Sequence, residues 1–161
     1  MQDLVDKLSE LLKKKEMMLV TAESCTGGLL AATMTHKPGS SAVFERGFVT
    51  YSNTAKTEEL GVSEDILSQY GAVSTQTAQL MATGALENSS ADLSVSITGI
   101  AGPDGGSEKK PVGLVCFGYA LKGGSSGSIE QRFEGSREEI RTQATVTALQ
   151  HLITVLEGEN E

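Results

Sequence analysis

Between Ala22 and Leu29 the chain passes from buried-strand character through a glycine pair into helical material. That passage limits the folds open to it. Met17-Met-Leu-Val-Thr-Ala22 reads as a short buried strand, Glu23-Ser-Cys-Thr-Gly-Gly28 follows at once, and Leu29-Leu-Ala-Ala-Thr-Met34 supplies a helix. Ser24 therefore falls at a strand-to-helix turn. A strand feeding a helix directly is the opening of a βα unit, which favours helices laid over a sheet rather than an all-α or all-β arrangement.

The rest of the chain repeats that alternation. Leu4, Val5, Leu8, Leu11 and Leu12 share one helix face, closed by Lys13-Lys-Lys15, where cations suit the helix dipole. Pro38-Gly-Ser-Ser41 breaks the chain, and Val43 to Tyr51 reads as a second strand. Residues 53 to 70 hold one or two short helices, divided at Gly61 and capped by Ser63; a longer helix runs from about Thr75 to Glu87. Leu93, Val95 and Ile97 alternate with Asp92, Ser94 and Ser96, a period-two strand, and run into the loop Thr98-Gly-Ile-Ala-Gly-Pro-Asp-Gly-Gly-Ser107. Val112 to Leu121 is a near-continuous apolar strand. Gly123-Gly-Ser-Ser-Gly127 turns it toward another at about Ser128 to Phe133. Ser136-Arg-Glu-Glu139 is a capping box opening a last helix, with Ile140, Ala144, Ala148 and Leu152 on one face. Five strand candidates among helices give an α/β sandwich, and the hairpin-like pair makes its sheet mixed. One domain over residues 1–161 is expected, with no internal repeat.

Composition removes several function classes. At 161 residues, 39% hydrophobic and 21% charged, the chain reads as one soluble globular domain. A net charge of −8 leaves no basic surplus for neutralising nucleic-acid phosphates, so no nucleic-acid partner is expected. No apolar stretch approaches the roughly 20 residues that cross a bilayer, so no membrane partner is expected either. The polar, periodic N-terminal segment is no signal peptide. Cys25 and Cys116 form no disulfide framework or zinc spacing, which suits a reducing, cytoplasmic setting. No His, Cys or carboxylate cluster has metal-ligand spacing, so neither metal nor cofactor is expected.

Three segments have chemistry in them. The backbone N–H groups of Thr26, Gly27 and Gly28 at the helix start would stabilise a phosphate or a tetrahedral oxyanion beside Ser24; equally, Ser24 or Thr26 serves as a helix cap. Ala22 and Thr26 stand where the hydrolase elbow G-x-S-x-G has glycine. His36 and His151 are the two histidines and read as ordinary surface or core residues, so a serine nucleophile has no obvious imidazole base. Lysine replaces histidine where burial lowers its pKa, and Lys56, just past the strand end at Asn53, is the best placed; it reads otherwise as a surface lysine. Tyr51 would relay or orient a proton. Cys25 is the rival nucleophile, but adjacent residues at such a turn point apart, and a lone cysteine is usually a buried small residue. The glycine-rich loop after Ile97 is nest-like, with neither a P-loop nor a Rossmann pattern. Arg137 and Arg141, one helical turn apart, would hold a phosphate, or else pair with Glu134 or Glu138.

Taken together, Thr21-Ala-Glu-Ser-Cys-Thr-Gly-Gly28, Phe44-Glu-Arg-Gly-Phe-Val-Thr-Tyr-Ser-Asn53 and Ile97-Thr-Gly-Ile-Ala-Gly-Pro-Asp-Gly-Gly-Ser107 resemble the CinA C-terminal domain family over about residues 3 to 155. The resemblance implies a three-layer α/β/α sandwich with a mixed, mostly parallel central sheet of about five or six strands. It implies hydrolysis of nicotinamide mononucleotide to nicotinic acid mononucleotide and ammonia, in pyridine nucleotide salvage. Ser24 is then the nucleophile, Lys56 the general base and Tyr51 its assistant. Ser41, Thr98, Gly99 and Gly102 then line the substrate site with Arg137 at the phosphate end, and Thr26, Gly27 and Arg141 are expected to contact substrate from their positions at the two helix starts. A homodimer is expected, as is common for small α/β enzymes. The sequence has no counterpart of the large N-terminal domain of longer members, so no activity tied to that domain is expected. The alternative is a non-catalytic nucleotide-binding paralogue or partner protein of the same family.

Overall fold

A computed structural model describes residues 1–158, so the last three residues of the domain expected over 1–161 lie outside the described residues. The elements in chain order are α1 (Gln2–Lys14), β1 (Leu19–Glu23), α2 (Leu29–Met34), a 3-10 turn (Ser40–Ala42), β2 (Phe44–Val49), α3 (Asn53–Leu60), α4 (Glu64–Tyr70), α5 (Thr75–Glu87), β3 (Leu93–Gly99), β4 (Leu114–Leu121), β5 (Ser126–Arg132) and α6 (Arg137–Gly158).

The five strands form one sheet in the order β2-β1-β3-β4-β5. β1 runs parallel to both β2 and β3, with Ala22 opposite Phe48 on one side and Ser96 on the other. β4 is antiparallel to β3 and to β5, so four of the five strands point the same way. Helices α1, α2 and α6 cover one face, where Leu8, Leu12, Leu30, Ile140 and Leu149 meet Leu19, Val95, Ile97 and Phe117. On the other face α5, backed by α3 and α4, packs Met81 and Ala85 against Val20 and Ala22. The sheet lies between two helical layers, a three-layer α/β/α sandwich.

Element ends shift from the sequence expectation for local reasons. The second strand stops at Val49 because Ser52 is needed as a cap: its Oγ accepts the Ala55 N–H at 3.0 Å to start α3. The first strand starts at Leu19 rather than Met17, since Met17 N–H still closes α1 on the Leu12 carbonyl. β5 begins at Ser126, directly on the hairpin turn that joins it to β4. The capping box forms as read: Glu139 N–H donates to Ser136 Oγ at 3.2 Å and Ser136 N–H to Glu139 Oε1 at 3.0 Å.

The alternation along β3 has a meaning that periodicity did not convey. Ser94 and Ser96 face no solvent; both are fully buried. Their hydroxyls donate to the Ala82 and Ala78 carbonyls of α5, and Thr98 Oγ1 donates to the Ala72 carbonyl at 2.8 Å. Small hydroxyls let α5 lie close to the sheet while satisfying every polar atom they bury. Gly118 on β4 completes that approach, because a Cβ there would stand 2.3 Å from the Ala78 carbonyl oxygen.

Candidate active site

The site forms beyond the carboxyl ends of β1, β2 and β3, where the order of an open α/β sheet changes direction and ligands ordinarily bind. Ser24 N–H extends the ladder past β1 by donating to the Ile97 carbonyl at 2.9 Å, and Thr50 N–H does the same toward Glu23 O at 2.9 Å. Alternation along β1 then decides which side chain goes where. Val20 and Ala22 face α5, so Ser24 turns to that side, while Cys25 joins the opposite core with Leu30 and Ile140. Burial pushes the Cys25 thiol up to about 11, only partly opposed by its own N–H and by Arg141.

Lys56 is carried toward Ser24 by α3, and only 1% of it is exposed. Its Nζ donates to Ser24 Oγ at 3.0 Å, to the Thr50 carbonyl at 2.9 Å and to the Tyr51 carbonyl at 3.3 Å. Among the described residues no carboxylate pairs with it. Burial lowers its pKa from 10.5, with the neighbouring Cys25 acting weakly the other way. A neutral amine has two N–H bonds and one lone pair. That matches two carbonyls and one hydroxyl, so the same geometry suits a proton acceptor for Ser24.

Ser24, Cys25 and Lys56 line a cavity of about 270 Å³ with Tyr51, Asn53, Thr98, Gly99, Gly102, Asp104 and Arg137. Thr98 is buried and its hydroxyl is tied to Ala72. Gly102 sits at φ +77°, where a Cβ would meet Val112 Cγ1 at 2.4 Å, and the bond to Pro103 is cis. The Gly102 carbonyl accepts Arg137 Nη1 at 2.8 Å, and Arg137 Nη2 donates to the Tyr51 hydroxyl at 3.2 Å. Tyr51 is 63% exposed and contributes its carbonyl, not its hydroxyl, to the Lys56 pair.

Other expected residues lie elsewhere. Ser41 is in the turn before β2, and β2 runs parallel to β1, so it stands at the opposite edge of the sheet from Ser24. Arg141 grips main chain: Nε donates to the Cys25 carbonyl and Nη2 to the Thr26 carbonyl, both at 3.1 Å. The donors at the start of α2 are largely taken. Gly27 N–H goes to Ser24 O at 3.0 Å, and Leu29 N–H to Thr26 O at 3.0 Å. Leu30 and Ala31 donate at 2.9 and 3.0 Å to the two oxygens of the fully buried Glu23 carboxylate. The helix dipole is thus met by the chain's own anion. Thr26 is buried as well, and its N–H has no acceptor among the described residues.

Sequence reasoning passed over Glu23, Asn53 and Asp104. Glu23 had a signal, an acid immediately before a glycine-rich helix start; Asn53 and Asp104 stand inside two motifs without a local pattern marking them as cavity-facing. His36 is exposed, and His151 packs edge-on against Tyr119 at 5.4 Å between ring centroids. No group of metal-ligating side chains is found among the described residues. No helix there is long and apolar enough to cross a membrane.

The CinA C-terminal domain family matches residues 1–156. The chain is 54% identical over 150 residues to the nicotinamide-nucleotide amidohydrolase PncC of Enterobacter agglomerans, covering 93% of this chain and 92% of that protein. It is 51% identical over 152 residues to the protein of the same name from Escherichia coli K12, covering 94% and 92%. Among solved structures, the competence/damage inducible protein CihA of Agrobacterium tumefaciens superposes with a TM-score of 0.93 at 47% identity, covering 96% of this chain and 94% of that one.

Proposed function

The chain belongs to the CinA C-terminal domain family, and from that premise we propose that it is a nicotinamide-nucleotide amidase. It hydrolyses the carboxamide of nicotinamide mononucleotide to nicotinic acid mononucleotide and ammonia, returning the nucleotide to NAD synthesis. The observation that carries the chemistry is the 3.0 Å contact between buried Lys56 Nζ and Ser24 Oγ.

In this reading neutral Lys56 takes the Ser24 proton as Oγ attacks the carboxamide carbon. The carbonyl oxygen becomes an oxyanion held by backbone N–H groups of the Ser24 turn, each donor worth about 3 to 4 kcal/mol. Protonated Lys56 then gives its proton to the departing nitrogen, which leaves as ammonia. Water, deprotonated by the same amine, cleaves the acyl-enzyme and restores Ser24. Arg137, on the far wall of the cavity and held by Gly102, receives the phosphate. The helix start of α2 does not compete for it, since Glu23 fills it. No step needs a metal or an organic cofactor.

The setting proposed is a cytoplasmic homodimer of a single amidase domain; both cysteines are free and buried, as a reducing compartment allows. Sedimentation at micromolar concentration tests the dimer, and a monomer there removes it. The activity is tested by incubating purified protein with nicotinamide mononucleotide and measuring ammonia. Binding without ammonia release would make the chain a non-catalytic nucleotide-binding paralogue, and turnover of a different amide in a substrate panel would reassign the substrate.

A further inference from the structure

We propose that Arg141 is a positioning residue for catalysis: by gripping the carbonyls of the nucleophile turn it holds Ser24 in place against Lys56 and the substrate. The inference rests on the reading of Ser24 as nucleophile and goes beyond it.

In a trans peptide the C=O of one residue and the N–H of the next point in opposite directions. Arg141 Nε holds the Cys25 carbonyl and Nη2 the Thr26 carbonyl, both at 3.1 Å. Arg141 stands on α6, whose side chains pack in the core on the Cys25 side of the sheet. Both carbonyls are therefore drawn toward α6. The N–H groups of Thr26 and Gly27 therefore point away from α6. Gly27 N–H is engaged by Ser24 O at 3.0 Å. Thr26 is fully buried and does not line the cavity, so the grip acts on the shape of the turn that carries Ser24 and not on a donor to substrate.

A second charged group fixes the other end of the same turn. Glu23 accepts the Leu30 and Ala31 N–H groups at 2.9 and 3.0 Å, locking the start of α2 to the end of β1. The anion takes the turn's downstream donors and the cation takes its carbonyls, so the peptide between Cys25 and Thr26 has little freedom to rotate. A planar guanidinium holds two carbonyls at once, as a lysine ammonium on a flexible stem does not. The grip costs Arg141 its access to substrate: it does not line the cavity, whereas Arg137 does.

The test compares Arg141→Met and Arg141→Lys with the unchanged protein on two amides, nicotinamide mononucleotide and the phosphate-free nicotinamide riboside. A positioning role predicts that kcat falls on the order of 10²-fold in Arg141→Met on both substrates while KM stays within about two-fold. Arg141→Lys recovers part of the loss. A rise in KM confined to the phosphorylated substrate would make Arg141 a phosphate ligand and overturn the proposal. So would a lowered melting temperature with unchanged kcat per folded molecule. Labelling of Ser24 by a fluorophosphonate separates this inference from the substrate assignment, because phosphonylation also depends on Ser24 being held against Lys56. If the unchanged protein labels but releases no ammonia, slower labelling in Arg141→Met supports the inference while the amide reading fails. If the unchanged protein neither labels nor turns over, both fall.

Discussion

Tyr51 turns its hydroxyl to Arg137, 3.2 Å away, and offers only its main-chain carbonyl to the Lys56–Ser24 pair. One residue thus joins the two ends of the cavity by two different groups. The side chain borders the wall assigned to phosphate, and the backbone helps to hold the amine that takes the proton. A Ser-Lys pair without histidine needs its lysine oriented as well as desolvated. Two carbonyls at successive positions, Thr50 and Tyr51, provide that orientation without adding a charge that would keep the amine protonated.

Replacing Tyr51 by Phe separates the two contributions. The carbonyl remains, the hydroxyl contact to Arg137 goes, and kcat for nicotinamide mononucleotide should be largely retained. KM should rise by about five-fold, which is one lost hydrogen bond of about 1 kcal/mol. Arg137→Met, which removes the cation itself, should raise KM by roughly 30-fold or more. Steady-state kinetics on both variants checks this, and a collapse of kcat in Tyr51→Phe would make the hydroxyl a proton relay instead.

Ser24→Ala should abolish ammonia release, while Cys25→Ala should keep it. Both residues border the cavity, but Cys25 also packs into the α6 core and its thiol is held up to about 11 by burial, so it supplies almost no thiolate near neutrality. Cys25→Ala should instead cost stability, about 1 kcal/mol for a small cavity in the α6 core. Ammonia assays and melting curves on the pair decide the assignment; activity lost in Cys25→Ala with its fold intact would transfer the nucleophile to the thiol.

The strand-to-helix turn at Ser24, the alternation of β3 and the capping box at Ser136 were all legible because each is a local pattern with a local cause. The roles of the two arginines were not. Arg137 and Arg141 are four apart on one helix and look equivalent in sequence, but the first stands at the cavity rim and the second lies over the Cys25–Thr26 peptide. Which of them meets substrate depends on where α6 lies against the turn that follows β1, a relation between residues more than a hundred positions apart. Ser41 shows the same limit: its place at the far edge follows from β2 being parallel to β1, which strand propensity does not determine. Glu23 differs: an acid just before a glycine-rich helix start is a local signal, but only its bonds to the Leu30 and Ala31 N–H groups show that the carboxylate is buried there.

Gly118→Ala tests the close approach of α5 to the sheet. The added methyl would stand 2.3 Å from the Ala78 carbonyl oxygen, which is backbone and cannot swing aside as a side chain does. It would also crowd Ser96, whose hydroxyl bonds that same carbonyl. Overpacking of this kind costs typically about 1 to 3 kcal/mol, so the urea midpoint should fall clearly, with activity per folded molecule little changed because the site lies beyond the strand ends. An unchanged midpoint would mean that α5 sits farther from β4 than described.

The pH dependence follows from burial of Lys56 and has a definite sign. Its folded-state pKa lies below 10.5, the ordinary lysine value. Catalysis needs the neutral amine, so kcat/KM should fall about tenfold per pH unit as the solution becomes more acid than the depressed value, and the acid limb should lie below 10.5. Stability is linked to the same proton. Between the folded and unfolded values the unfolded chain binds the proton and the folded one does not, so stability rises with pH through that window. Below the folded value Lys56 is charged in both states and the full burial penalty is present; above 10.5 it is neutral in both and the penalty is gone. Lys56→Met should be inactive and should lack that component of the slope, which urea midpoints taken from neutral pH to about 10.5 will show by difference from the unchanged protein. Parallel stability curves would mean that Lys56 titrates at its ordinary value in the folded state, and a lysine charged there at neutral pH is no base for Ser24.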